Sequence, residues 1–93
     1  MQRVYGDFVW DSRKERVNVY RHGVNFAIAA RAFKDPNRKI FTDPRHSEKE
    51  PRYFCIAKVL GRIITVRFTY RQNKIRIYGA GYWRKGKRYY EEA

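Results

Sequence analysis

Ninety-three residues with 43% hydrophobic and 17% aromatic content can build one modest core, which excludes a second core and an intrinsically disordered chain. Twenty-two Lys and Arg against nine Asp and Glu leave a formal charge of +13. Such an excess repels itself and calls for a polyanionic partner, nucleic acid first and an acidic protein second. One cysteine, Cys55, excludes an internal disulfide and a cysteine-cluster metal site, and its apolar run FCIAKVL marks it as a buried structural thiol.

In chain order, GDFVW (6–10) is a short strand ended by Asp11. DSRKERVNVYRHG then reads as a helix: Ser12 and Glu15 have capping-box spacing, Asp11 is an alternative N-cap, and Gly23 suits the stop. Asn25 can cap a second short helix, with Phe26, Ala29, Ala30 and Phe33 at i, i+3, i+4 and i+7, closed by Asp35–Pro36. RKIFTDP (38–44) is a strand and RHSEKEP a loop. RYFCIAKVL, RIITVRFTY and KIRIYGAGY form an antiparallel meander punctuated by Gly61 and Gln72–Asn73, and a short helix fits within 84–92. The expectation is one α+β domain over residues 1–93: strand, two helices, four-stranded meander and short C-terminal helix, with the helices gathered on one sheet face. No segment has transmembrane length and MQRVYGDF lacks the apolar core of a signal peptide, so a cytosolic protein is expected.

A two-residue turn at Gln72–Asn73 sets Tyr70 against Ile75, Phe68 against Ile77 and Val66 against Gly79 on one face, which Tyr53, Cys55, Ala57 and Val59 extend. On the other face Thr69 opposes Arg76, Arg67 opposes Tyr78 and Thr65 lies beside Ala80, with Arg52, Phe54, Ile56 and Lys58 on the adjoining strand. The first face is core. The second is basic and aromatic, a surface suited to RNA, where guanidiniums pair with phosphates and rings stack on splayed bases. The charge agrees: residues 1–51 hold eleven basic and seven acidic side chains, residues 52–93 eleven and two. Lys58, Arg67, Arg71, Lys74 and Tyr78, with Arg84, Lys85, Lys87 and Arg88 of the closing GAGYWRKGKRYYEE, are the RNA-binding candidates. An ordinary solvated sheet face is the alternative.

Zinc-type ligand clusters, phosphate-loop glycines and a GxSxG elbow are all missing, so no metal or cofactor is expected. RNA cleavage needs neither, because the 2′-hydroxyl is itself a nucleophile that requires alignment, charge neutralisation and proton transfer. His22 falls at a helix C-terminus, where the dipole favours an imidazole structurally, and His46 falls in a loop as a spectator. Spacing alone does not separate cutting RNA from holding it.

FVWDSRKERVNVYRHGVNFAIAARAFKDP (8–36) is similar to the N-terminal signature of the BrnT toxins. In that signature a Trp-Asp pair opens the first helix, a basic-His-Gly-Val/Leu step joins two helices, and Asp-Pro follows. The resemblance continues through DPRHSEKEPRYF and RIITVRFTYRQNKIRIYGAG, covering nearly the whole chain. It implies a RelE-like fold and a metal-independent ribonuclease toxin of a type II toxin–antitoxin pair that shuts down translation. The implied partner is a ribbon-helix-helix, BrnA-like antitoxin, through which alone operator DNA is met.

By position, the resemblance carries His22, Glu50, Arg52 and Arg76 over as recurrent polar residues. Arg52 and Arg76 would bind phosphate and transition-state charge, since arginine stays too basic to accept a proton. His22 or Glu50 would transfer protons, a local Glu50–Arg52 ion pair being the alternative. Tyr90 resembles the tyrosine near the family's C-terminus. One departure stands out: many members end the last strand with Ser-Ala-Arg, whereas this chain has Gly79-Ala80-Gly81. Either the charge has moved to Arg84, Lys85, Lys87 or Arg88, or the protein is a weakened toxin that binds RNA or an acidic partner without cleaving.

Overall fold

The computed structural model describes residues 1–92 without the side chain of His46, so the reading of that imidazole lies outside it. Six strands form one mixed sheet in the order β1-β2-β6-β5-β4-β3. They are β1 (Gln2–Tyr5), β2 (Phe8–Asp11), β3 (Lys39–Thr42), β4 (Tyr53–Val59), β5 (Arg62–Arg71) and β6 (Lys74–Gly81). Helices α1 (Ser12–His22) and α2 (Phe26–Ala30) follow β2, and α3 (Arg84–Glu91) ends the chain. The meander β3–β6 is antiparallel as expected, and β2 joins β6 in parallel at Phe8–Ile75 and Val9–Arg76.

Local chemistry explains most boundaries. Asp11, not Ser12, caps α1, accepting hydrogen bonds from the Arg13 and Lys14 amides; the Arg13 bond leads in holding its carboxyl below the ordinary 3.8. Gly23 closes the helix in the left-handed conformation at φ 70°. The Asn25 side chain caps α2, which runs into a 3-10 turn over Arg31–Lys34. Gln72 and Asn73 both take positive φ (53° and 63°), the requirement of a tight hairpin turn. Strand β1 was not expected: all four residues are exposed, so no core periodicity announces it, and it exists as the partner of β2 in a hairpin.

The core lies between the sheet and α2. Phe26, Cys55, Ala57, Ile64, Val66, Phe68 and Ala80 are fully buried, and Phe33 packs edge-on against Phe68 at 4.9 Å. Burial pushes the Cys55 thiol up to about 12, which keeps it protonated and inert.

Two expectations are overturned. The predicted register holds for Tyr70–Ile75, Thr69–Arg76 and Phe68–Ile77, then shifts by one residue. Beyond the shift Arg67 opposes Gly79, Val66 opposes Ala80 and Thr65 opposes Gly81, leaving Tyr78 as the extra residue of a β-bulge. The bulge puts the Ala80 methyl, rather than a glycine, against Val66 in the core.

The helices, moreover, do not share one face. Because Gly86 sits on Thr65 and Ile56, whose side chains alternate with the core set, α3 covers the opposite face of β4 and β5. Lys39 Nζ caps its C-terminal carbonyls at Tyr89 (2.7 Å) and Glu92 (2.6 Å), and Phe41 packs on Tyr89.

Gly86 makes that docking possible. A Cβ there would collide with Thr65 Oγ1, a β-branched buried side chain that cannot swing away. Gly86→Ala is therefore expected to destabilise the protein by about 1–2 kcal/mol, an overpacking cost partly offset by better helix propensity. Urea denaturation measures it; a more stable variant would show that α3 docks more loosely.

Candidate functional site

The loop before β4 is held rigidly. The Asp43 amide donates to the Arg52 carbonyl (2.7 Å), the Arg52 amide to Ser47 Oγ (3.0 Å), and Thr69 Oγ1 to the Pro51 carbonyl. These bonds carry Glu50 and Arg52 onto the sheet face opposite the core. Glu50 receives Arg71 on both oxygens, at 2.9 and 3.1 Å, and Arg52 at 3.6 Å. Its stronger partner is thus Arg71, from β5, rather than its sequence neighbour.

Arg52 and Arg67 converge on Tyr78, their guanidinium carbons 4.3 and 5.2 Å from its ring centroid. The bulge brings that ring to both arginines, and Gly79 stands opposite Arg67, where a Cβ would meet its side chain at ordinary contact distance. The Tyr78 hydroxyl is withdrawn from solvent and has no hydrogen-bond partner among the described residues. Arg76, two residues earlier on β6, donates to Gln2 Oε1 at 3.3 Å.

Arg67 and Tyr78 also open into a cleft of about 290 Å³ whose other wall is α1, with Arg13, Lys14, Arg21 and His22. No carboxylate lines it. A second cleft, about 410 Å³, lies beside α3; Lys58, Arg62, Arg84 and Lys87 outnumber its one carboxylate, Glu91. Trp83 belongs to both walls, and His22 meets its ring edge-on at 5.1 Å.

The sequence-predicted candidates therefore divide. His22, Arg67 and Tyr78 share the α1 cleft; Lys58, Arg84 and Lys87 share the α3 cleft; Glu50, Arg52 and Arg71 form the charged cluster beside Tyr78. Lys74 turns to the Gly6 carbonyl, and Lys85 and Arg88 on α3 line neither cleft. Sequence reading missed Arg13, Lys14, Arg21, Arg62, Tyr82 and Trp83. Helical spacing could have found the first three, since Arg13, Val17 and Arg21 stand beside Lys14, Asn18 and His22 on one face of α1.

Tyr90 donates to Asp35 Oδ2 at 2.6 Å, and the same carboxylate accepts the Lys58 and Asn37 amides. Burial pulls the Asp35 carboxyl up, but these bonds outweigh it and its pKa lies below 3.8. The bond to Asp35, then burial, raises the Tyr90 phenol above 10.0. The depressed carboxyl stabilises the fold above pH 3.8, and that contribution is lost as pH falls through its folded pKa. The raised phenol stabilises below pH 10, and its contribution is lost as pH climbs through its folded value. Tyr90→Phe is expected to lower the denaturation midpoint at neutral pH and to flatten the alkaline loss. An unchanged alkaline limb in a pH series would refute the linkage.

Among the described residues no group of three or more His, Cys, Asp or Glu is placed to hold a metal, and no helix is long and apolar enough to cross a membrane. A six-stranded α+β scaffold carrying a cationic cleft free of carboxylates defines a small basic protein with a concave cationic surface. Residues 10–86 match the family model described as the ribonuclease toxin, BrnT, of type II toxin–antitoxin systems, and the chain belongs to that family. Membership makes it a ribonuclease toxin, with RNA as substrate and an antitoxin as partner. No curated protein matches the sequence.

Proposed function

We propose that this protein is a metal-independent endoribonuclease with a RelE-like arrangement, which cuts mRNA, either single-stranded or ribosome-associated, and so arrests translation. The observation that carries the reading is the convergence of Arg52 and Arg67 on Tyr78 at the mouth of a carboxylate-free cleft bordered by His22. A surface so cationic attracts phosphate and repels a metal ion alike.

In this reading the scissile phosphate sits against Arg52 and Arg67, with Arg76 further along the same strand face. The guanidiniums hold the phosphate and take up the charge that grows on its oxygens in the transition state. The 2′-oxygen attacks phosphorus as its proton leaves, and the bond to the 5′-oxygen breaks as that oxygen gains a proton. The products are a 2′,3′-cyclic phosphate and a 5′-hydroxyl.

His22 is the proton-transfer group, because it borders the cleft, whereas both Glu50 oxygens already receive Arg71. Glu50 acts as a positioning residue that fixes Arg52. Tyr90, engaged by Asp35, anchors α3. A ribbon-helix-helix, BrnA-like antitoxin neutralises the toxin by covering its basic surface and links it to operator DNA.

The test is incubation of the purified protein with single-stranded RNA in excess chelator, followed by end-group analysis. Fragments with cyclic-phosphate ends are expected. RNA left intact at micromolar protein of confirmed native fold, both free and on translating ribosomes, would sink the reading.

A further inference from the structure

The two clefts meet at Trp83, and this junction has no role in the chemistry above. The indole lies over Gly81 so closely that a Cβ at that position would come within 2.6–2.8 Å of three adjacent ring atoms. One face of the ring is therefore backed by main chain, while His22 approaches the ring at 5.1 Å and Trp83 stays partly exposed. To one side are Arg21 and Arg67 of the α1 cleft, to the other Arg62 and Lys87 of the α3 cleft. None of these four cations is in an ion pair among the described residues. Arg62 is already placed, its guanidinium 3.5 Å from the centroid of the Tyr82 ring.

A supported aromatic ring between two unneutralised cationic clefts matches the needs of a single nucleic-acid strand. The ring takes a base, and the cations take the phosphates on either side of it. A duplex keeps its bases stacked on one another and offers none to the ring. We propose that Trp83 is a base-stacking platform and that single-stranded RNA crosses it from one cleft to the other. Arg21 and Arg67 hold the backbone on one side of the stacked nucleotide, and Arg62 and Lys87 on the other. This rests on the ribonuclease reading and adds a substrate-selecting site to it: the strand is gripped on both sides of one unpaired nucleotide.

A short 2′-O-methylated oligoribonucleotide, which cannot supply the attacking hydroxyl, tests this by fluorescence anisotropy, alongside versions made abasic at one position each. In the wild-type protein one abasic position should weaken binding about tenfold, the order of a lost base–aromatic stack. Trp83→Ala should cause a similar loss and make that abasic position indifferent, while Trp83→Phe restores most of the affinity. Arg62→Ala and Lys87→Ala should each lower the slope of log affinity against log salt by about one.

If no abasic position matters in the wild-type protein, the platform is overturned whatever the folding of the variants. If Trp83→Ala and Arg62→Ala bind normally while the wild type cleaves RNA, the platform falls and the ribonuclease reading stands. If the wild type neither binds the oligonucleotide nor cleaves RNA, both fall.

Discussion

Arg67→Ala is expected to lower kcat/KM for RNA cleavage about 10²–10³-fold, the loss typical of removing one preorganised donor to a developing anion. The reasoning starts from register. The bulge at Tyr78 sets Gly79 opposite Arg67 and brings the Tyr78 ring to the arginine at the α1 cleft. Arg67→Lys should recover only part of the rate, because an ammonium group cannot present the planar fork that a phosphate accepts. Since Arg52 approaches the same ring, the Arg52→Ala and Arg67→Ala penalties should not add. Single-turnover cleavage, with circular dichroism to establish the fold, reads all three. A wild-type rate in Arg67→Ala would remove this arginine from the reaction.

Asn18→Leu is expected to cost about 3–5 kcal/mol, more than a side chain of its size suggests. Asn18 is the one buried residue of α1, and its amide is saturated by backbone. Nδ2 donates to the Val24 and Ala80 carbonyls at 3.0 Å each, and Oδ1 accepts the Ala80 amide at 3.0 Å. The side chain thereby continues the ladder along β6 where the pairing with β2 has ended. Leucine leaves three buried backbone groups without partners, each worth about 1–3 kcal/mol, and its own burial recovers only part of that. Because the same contact seats α1 against β6, the variant should lose RNA binding at temperatures where it is still mostly folded. A urea midpoint within error of wild type would mean that α1 is held by other contacts.

Much of the scaffold was legible because its signals are short-range. The caps at Asp11 and Asn25, the stop at Gly23, the turn at Gln72–Asn73 and the alternation of β4 and β5 all act within a few residues. What was not legible depends on distant partners. Asn18 reads as an indifferent helix residue until Ala80, 62 positions away, is beside it. Strand β1 has no buried side chain to reveal it. The bulge conserves alternation on both of its sides while exchanging the faces, so an even count through β6 assigns Ala80 wrongly. The side taken by α3 is decided by the fit of Gly86 on Thr65, which no local pattern encodes.

The same distinction applies to the candidate site. The concentration of charge in the second half pointed to the sheet face opposite the core, and Arg67, Tyr78 and His22 line one cleft. The cations of α1 carry no such signal, because they belong to the less basic half and join the cleft only after the chain has folded back. Glu50 was paired with Arg52 on adjacency, whereas the hairpin brings Arg71 closer.

The packing of Trp83 on Gly81 also bears on how such a surface can change over generations. An arginine at position 81 requires a Cβ where the indole now lies, so the two side chains exclude one another. The positions are epistatic. A side chain at position 81 therefore needs the Trp83 ring to move from its present place. The ring at Trp83 and a long side chain at position 81 are thus alternatives rather than increments.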